Sequence, residues 1–509
     1  MKDNQLRWGS ILSYVQIVVN VLIGLLYTPV MLKLLGQSEY GLYNTVSSTI
    51  AMLNVLSLGF NSSYIRYYAR YAVQKDTRRI NSLNGIFLIV FTIIGLIALV
   101  CGLFLTSHLE LVFDQGLTAS EYATAKVLML ILTVNLAISF PMSTFTSIIS
   151  AHERYVFLKL MGIVKTVISP LLTLPLLLAG YGSVAMVVIT TLVTLLMDAV
   201  YFFYARKKLE MRFAFHGFEK GILRNLLVYS SFIAINIVVD QINSNMDKFL
   251  LGRFVGTEEV AVYAIGYTLY HYYMFFSLGV SSVFSPRIHR IVNSTQLDSP
   301  EQKRQLTKLF VRVGRIQYLI LALVATGFFF FGRQFIVMWT DSEYGNSYYV
   351  ALLLIFSATV PFIQNVGIEI QRALNRHVFS SICYLMMALV NLAVSIELCQ
   401  RFGAVGSAAG TALAFVLANG LIMNVYYHKR CNIDILYFWR CILRMSLGLI
   451  LPLITGALIV QLWDCYKPIP FLLGIPAYTL VYCCSMWLFG LDKEEKQKII
   501  SGIRRKLHH

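Results

Sequence analysis

Charge is what this chain has least of. Only 13% of its 509 residues are charged, with 25 Asp and Glu against 42 Lys and Arg. That is about half the usual charged share, which excludes a string of soluble domains and puts most of the chain in lipid. The eight Cys are scattered through apolar stretches without a CxxC or other ligand spacing. They therefore read as small core residues, and neither a disulfide framework nor a metal site is expected. No nucleotide-binding motif occurs and no cofactor is expected, so any transport would draw on an ion gradient or the membrane potential. The stretches between apolar runs are short, leaving no room for the soluble substrate site of a membrane-bound polymerase or glycosyltransferase; the chain does not read as an enzyme. No cleavable signal peptide is expected either. The first apolar run is too long, and Gly36-Gln37-Ser38-Glu39 follows it instead of a small-residue cleavage site.

What the chain has is hydrophobicity, at 57% of residues. Fourteen long apolar runs recur, at about 10–34, 41–65, 83–107, 123–149, 158–180, 183–205, 226–252, 259–285, 314–333, 348–371, 378–401, 404–427, 441–463 and 469–489. Each is near the length a helix needs to cross the hydrocarbon core, and far longer than a barrel strand. The expectation is an all-α integral membrane protein with about 14 transmembrane helices. The net charge of +17 first suggests nucleic acid, but its distribution excludes that. With the N-terminus inside, 34 of the 42 Lys and Arg fall on the cytoplasmic side, seven fall outside, and Lys165 is intramembrane. That asymmetry predicts both termini in the cytoplasm and sets the basic loops against anionic membrane lipids.

One segment is unusual. Leu226 to Val239 is apolar, and then Asp240-Gln241-Ile242-Asn243-Ser244-Asn245-Met246-Asp247-Lys248 turns polar. Asn236, Asp240, Asn243 and Asp247 would share one face of a continuous helix. Such a stripe cannot face hydrocarbon, because each ionised group there costs several kcal/mol. The segment also has a copy 220 residues upstream: Gln16 and Asn20 match Asn236 and Asp240, and Gly36, Glu39 and Tyr43 match Gly256, Glu259 and Tyr263. Ser57-Leu58-Gly59 matches Ser277-Leu278-Gly279, and Pro141 matches Pro361. The offset then drifts to 222 at Ala151 and Arg154, and to 224 where Gly182-Ser183 meets Gly406-Ser407. The chain therefore reads as a duplication: an N-lobe of six helices over 1–224, a pseudo-symmetric C-lobe of six over 225–430, and a region 431–509 holding helices 13 and 14 and an amphipathic tail with Ile500, Ile503 and Leu507. Pro29 is expected to bend the first helix. Ser299-Pro300-Glu301-Gln302 reads as a helix start, and the helix with Leu306, Leu309, Phe310 and Val313 on one side is expected along the inner surface.

Leu35-Gly36-Gln37-Ser38-Glu39-Tyr40-Gly41-Leu42-Tyr43 after the first helix and Ser57-Leu58-Gly59 at the inner end of the second resemble the polysaccharide exporters. These are lipid-linked oligosaccharide flippases of the Wzx type, in the superfamily that also holds multidrug extruders and the lipid II flippase. Ala373-Leu374-Asn375-Arg376 and Phe402-Gly403-Ala404-Val405-Gly406-Ser407-Ala408 fit the later helices of the same family. The resemblance spans almost the whole chain and implies a two-lobe transporter working by alternating access.

Candidate site residues follow from polarity in the apolar runs. Gln16, Asn20, Asn54, Asn61, Asn236, Asp240 and Asn243 either line a polar chamber formed by helices 1, 2, 7 and 8 or glue helices together. Ser47, Asn54 and Asn61 recur every seven residues on helix 2. Tyr267, Tyr270 and His271 offer rings and hydroxyls to a sugar, or pack. Asp240, with Asp247 second, is the candidate for ion coupling. Arg66, Arg70, Arg287 and Arg290 at inner helix ends, with Lys248, suit a pyrophosphate, although topology alone also places Arg there. The expected cargo is a lipid-linked oligosaccharide moved to the outer leaflet of the cytoplasmic membrane, with a glycan polymerase and other assembly proteins as possible partners. A cation-coupled multidrug extruder and a non-transporting scaffold for glycan-assembly enzymes are the alternatives.

Overall fold

The structure, a computed structural model, describes residues 2–113, 117–215, 221–281, 284–376, 378–497 and 500–501. It is 89% helical with 14 long helices, and no strand occurs among the described residues. Ten helical stretches are long and apolar enough to cross a membrane. Leucines and valines such as Leu26, Val100, Leu171 and Leu196 are 61–74% exposed on them. Apolar exposure on that scale is incompatible with water and is what a lipid-facing surface requires. The chain is a multi-pass membrane protein.

Cα packing divides the chain into two units, Met1–Ala264 with Ala388–Ser407, and Ile265–Met387 with Ala408–His509. The first unit holds α1 (Lys2–Met52), α2 (Phe60–Val73), α3 (Thr77–Ser107), α4 (Ala119–Ala151), α5 (Tyr155–Leu178), α6 (Gly182–Lys207), α7 (Ile222–Gln241), α8 (Asp247–Phe254), the start of α9 (Thr257–Ser281) and the middle of α14 (Val378–Phe415). Its core is aromatic at one end, with Phe60, Tyr64, Phe87, Phe91 and Phe145, and aliphatic at the other, with Leu42, Val46, Leu109 and Leu128. α1 keeps helical dihedrals through Pro29 and changes direction at Gly36 instead (φ 77°, ψ 171°), a backbone region that glycine enters without strain.

The Gly36 turn explains the motif around it. Glu39 reaches the first turn of α6 and accepts the Ser183 N–H at 2.6 Å, a carboxylate at a helix N-terminus. A Cβ at Gly41 would overlap the Thr257 carbonyl oxygen, so glycine is what lets these two backbones touch. Ser38 bonds the Thr257 hydroxyl at 3.1 Å and the Glu121 carboxylate, and Gln37 donates to the Glu258 carbonyl at 3.3 Å. The second copy repeats the device: Glu259 accepts the Ala404 N–H at 2.6 Å, where α14 restarts after Gly403 (φ 58°). The equivalent of Gly182-Ser183 is thus Gly403-Ala404, at an offset of 221, and not the expected Gly406-Ser407.

The second unit holds the rest of α9, then α10 (Ser285–Ser294), α11 (Pro300–Trp339), α12 (Ser347–Ile363), α13 (Val366–Ala373), the ends of α14, α15 (Met423–Arg430), α16 (Ile435–Ser446), α17 (Ile450–Leu462) and α18 (Pro468–Ser485). The Ser299 side chain caps α11 by accepting from Gln302 N, as the sequence predicts. The helix does not lie along the surface, however. It runs unbroken for 40 residues, and Leu306, Leu309, Phe310 and Val313 are buried in the unit's own core. In the Ala-Leu-Asn-Arg motif, Asn375 adopts φ 55° and Arg376 donates to Asp298 at 2.7 Å and to the Arg430 carbonyl, tying three loops together. Most of the expected amphipathic tail, 502–509 with Ile503 and Leu507, lies outside the described residues.

Candidate functional site

The polar face of α1 turns toward α5. Gln16 lies over Gly162, where a Cβ would come within 2.5 Å of the Gln16 amide Nε2. One turn on, Asn20 Oδ1 accepts the Thr166 hydroxyl at 2.8 Å. Lys165 precedes Thr166, and the charge it answers is Asp198 on α6. Asp198 Oδ2 is buried without a hydrogen-bond partner among the described residues. A carboxylate oxygen left dehydrated and unbonded is costly, and in a membrane such groups mark functional sites. The first unit therefore carries two amides, a hydroxyl, an ammonium and a carboxylate on three adjacent helices.

The other candidates are dispersed. Asn54 falls in a 3₁₀ turn, Leu53–Ser57, and donates to the Ala51 carbonyl at 2.9 Å. Leu58 and Gly59 then take left-handed dihedrals, so Ser47, Asn54 and Asn61 do not share one helix and the sevenfold repeat has no common face. Asn61 accepts from Ser147 at 2.9 Å. Arg66 and Arg70 are exposed one turn apart on α2, whose Ser63 bonds Ser230 of α7 at 2.6 Å.

The expected stripe from Asn236 to Asp247 is split by backbone geometry. Residues Ile242–Met246 form a π-helical turn between α7 and α8. A π-turn inserts about one extra residue, which rotates everything beyond it by roughly 100°. Asn236 and Asp240 stay exposed and Asn243 is half-buried, whereas Asp247 is 3% exposed. Asp247 accepts the Tyr263 hydroxyl at 2.6 Å and the Ser407 hydroxyl at 2.7 Å, so it clamps three helical segments. Lys248, beside it, is half-buried.

In the second unit Tyr270 is enclosed by aromatic rings, with centroids of Tyr267, Phe362 and Phe415 at 5.5, 6.0 and 6.4 Å. His271 stands on the edge of this group, 6.3 Å from Tyr267 and 4.9 Å from Phe275. Arg287 and Arg290 are exposed on α10, whose Ile288 and Ile291 are buried. Sequence reasoning singled out Lys165 but missed Asp198. The signal was available, since each is the lone charge well inside its apolar run, about 158–180 and 183–205.

Residues 6–292 match the family described as "Polysaccharide biosynthesis protein", more than half of the chain. The chain belongs to the polysaccharide biosynthesis protein family. This family member is also 24% identical over 207 residues to a probable low-salt glycan biosynthesis flippase of Haloferax volcanii, a match covering 40% of the chain and 42% of that protein. In fold it is similar to a lipid II flippase in an inward closed conformation (TM-score 0.72, 16% identity, 94% of this chain and 98% of that one). A multidrug resistance transporter in an inward-facing conformation shares the fold less closely, with TM-score 0.62, 13% identity, and 83% and 99% of the two chains covered. A Vibrio cholerae MATE transporter, in a mutant form, follows at TM-score 0.56 and 15% identity, with 85% and 99% covered. These likenesses, at 13–16% identity, show that the family member has the fold of a lipid II flippase and of multidrug transporters.

Proposed function

We propose that this protein flips a lipid-linked oligosaccharide, the repeat unit of a polysaccharide, from the inner to the outer leaflet of the cytoplasmic membrane by alternating access, with both termini inside. The observation that carries the reading is the cluster of half-buried polar side chains in the first unit, Gln16, Asn20, Lys165, Thr166 and Asp198, on helices that are mostly apolar. A sugar needs many hydrogen-bonding groups to replace its water, and a membrane protein bears the cost of such groups for a polar cargo. Fold likeness to a lipid II flippase over 94% of the chain supports the same class of cargo. Arg66, Arg70, Arg287, Arg290 and Lys248 supply positive charge for a pyrophosphate, while Asn54, Asn61, Asn236, Asn243, Tyr267, Tyr270 and His271 are the further sugar-contact candidates. Asp240, exposed on α7, is the coupling carboxylate in this reading, with Asp247 in a second role.

In cells lacking the protein, surface glycan is lost and lipid-linked sugar accumulates on the inner leaflet. Wild-type surface glycan in the deletion strain overturns the reading. The likeness to multidrug transporters supports the rival, a cation-coupled extruder, which predicts resistance to toxic cations on expression and unchanged glycan. A scaffold for a polymerase and other assembly proteins predicts that apolar replacements in the polar interior leave export intact.

A further inference from the structure

One cavity in the second unit has no part in the transport reading. It has a volume of about 1060 Å³ and lies at the start of α11, walled by α16 and the segment after α18. Arg304, Lys308 and Arg312 succeed one another every four residues along one face of α11, and Arg444 of α16 also lines the cavity. At 1.5 Å per residue the three α11 cations span about 12 Å. Further along the same face the lining changes to Ile316 and Leu319, so the cavity is cationic toward the helix start and apolar toward the membrane. Arg444 stands between Leu443 and Leu447, which are 66% and 59% exposed, so this rim also meets hydrocarbon.

Asp434, Asp492, Glu494 and Glu495 also line the cavity, but its seven Lys and Arg outnumber them. Asp434 caps α16 by accepting the Tyr437 N–H at 3.0 Å. Asp492 and Glu495 are engaged by Arg315, which is 4% exposed. That guanidinium donates to Glu495 at 2.8 and 2.7 Å and to the Gly490 carbonyl at 3.1 Å, and lies 3.2 Å from Asp492. Arg315 is thus a positioning residue: its donors are used in holding the segment 490–495 as a wall, and the remaining cations face the space.

We propose that this cavity binds the phosphate headgroup of an anionic membrane lipid, with the phosphate among Arg304, Lys308, Arg312 and Arg444 and the upper acyl chain against Ile316 and Leu319. Arg and Lys grip phosphate by charge-assisted hydrogen bonds, and basic pockets between membrane helices at the inner surface suit such headgroups. A free phosphate would meet the same cations but would have no use for the apolar end. The assignment does not rest on transport, so its failure leaves the flippase reading standing.

The test is binding of fluorescent phosphatidylglycerol to the full-length protein in mixed micelles, with phosphatidylcholine as the neutral comparison. The triple replacement Arg304→Gln, Lys308→Gln, Arg312→Gln should weaken phosphatidylglycerol binding at least tenfold and leave phosphatidylcholine unchanged. The pair Arg206→Gln, Lys207→Gln, basic but on α6, should bind as wild type. Arg315→Gln, which frees the 490–495 wall, should weaken binding while the α11 cations remain. Three results overturn the proposal: wild-type binding by the triple variant, an equal loss in the α6 pair, or full displacement of lipid by millimolar inorganic phosphate. The last would assign the cations to free phosphate.

Discussion

The two copies of the duplicated unit agree in their scaffold and disagree in their interior. Glu39 and Glu259 cap equivalent helix starts with the same 2.6 Å contact, each beside a glycine with positive φ. Deeper in, the first copy carries Lys165 and Asp198. At the offset of 221 set by those caps, Asp198 corresponds to Asn419, and Lys165 to Met386. Asn419 accepts the Tyr384 hydroxyl at 2.9 Å and donates to the Phe415 carbonyl at 3.3 Å, a neutral pair with its bonds made. Asp198, by contrast, keeps a buried oxygen unbonded. The difference teaches that the cap is required by the fold, whereas the charge is optional to it. What a fold does not require, and a membrane penalises, is there for function.

That contrast can be broken by making the first copy like the second. Asp198→Asn alone leaves the half-buried Lys165 ammonium without its counter-charge and should have the largest effect, about 2 kcal/mol or more of stability with export lost. Lys165→Met combined with Asp198→Asn removes both charges and should restore the protein to near wild-type abundance while export stays lost. Restored export in that double variant, measured as surface glycan, would make the pair structural. Asp240→Asn should slow export with abundance unchanged, and normal export by that variant removes Asp240 from the mechanism.

Smaller effects sharpen the shared scaffold. Glu39→Ala and Glu259→Ala should each cost about 1 kcal/mol, the value of a lost N-terminal cap, and by similar amounts. Unequal melting shifts would mean the two caps are not equivalent. The smallest effect concerns acid. Burial raises the Glu121 pKa, but hydrogen bonds from Ser38, Thr118 and Thr257 outweigh it and hold the carboxyl below its ordinary value of 4.5. A folded pKa that is depressed contributes stability above the unfolded value and loses it as pH falls through the folded one. The contact of Ser38 with Thr257 and Glu121 should therefore loosen below about pH 4.5, and Glu121→Gln should remove that dependence in hydrogen exchange of residues 36–41.

How much of this was legible beforehand depended on the range of each interaction. Helix number and the duplication stood in the chain itself, because apolar length and repeated residues are local properties. Gly36 was visible in the break between two apolar runs, but that Glu39 serves Ser183, 144 positions later, is a matter of packing. The stripe from Asn236 to Asp247 misled for a different reason. A fixed period of 3.6 cannot register the π-turn at Ile242–Met246, which rotates Asp247 away from Asp240. Asn54 and Asn61 failed likewise, because a 3₁₀ turn and two left-handed residues interrupt their helix. Asp198 was missed because its meaning depends on Lys165, and only the pairing of α5 with α6 joins them.

The unbroken run of α11 has a practical consequence. Forty residues of helix extend about 60 Å, twice the thickness of a bilayer's hydrocarbon. Nearly half of that rod must stand clear of the oil, like a mast above a deck. A small pivot at its base is magnified at its tip, so a spectroscopic label at Gln305 would turn degrees of tilt into ångströms of travel.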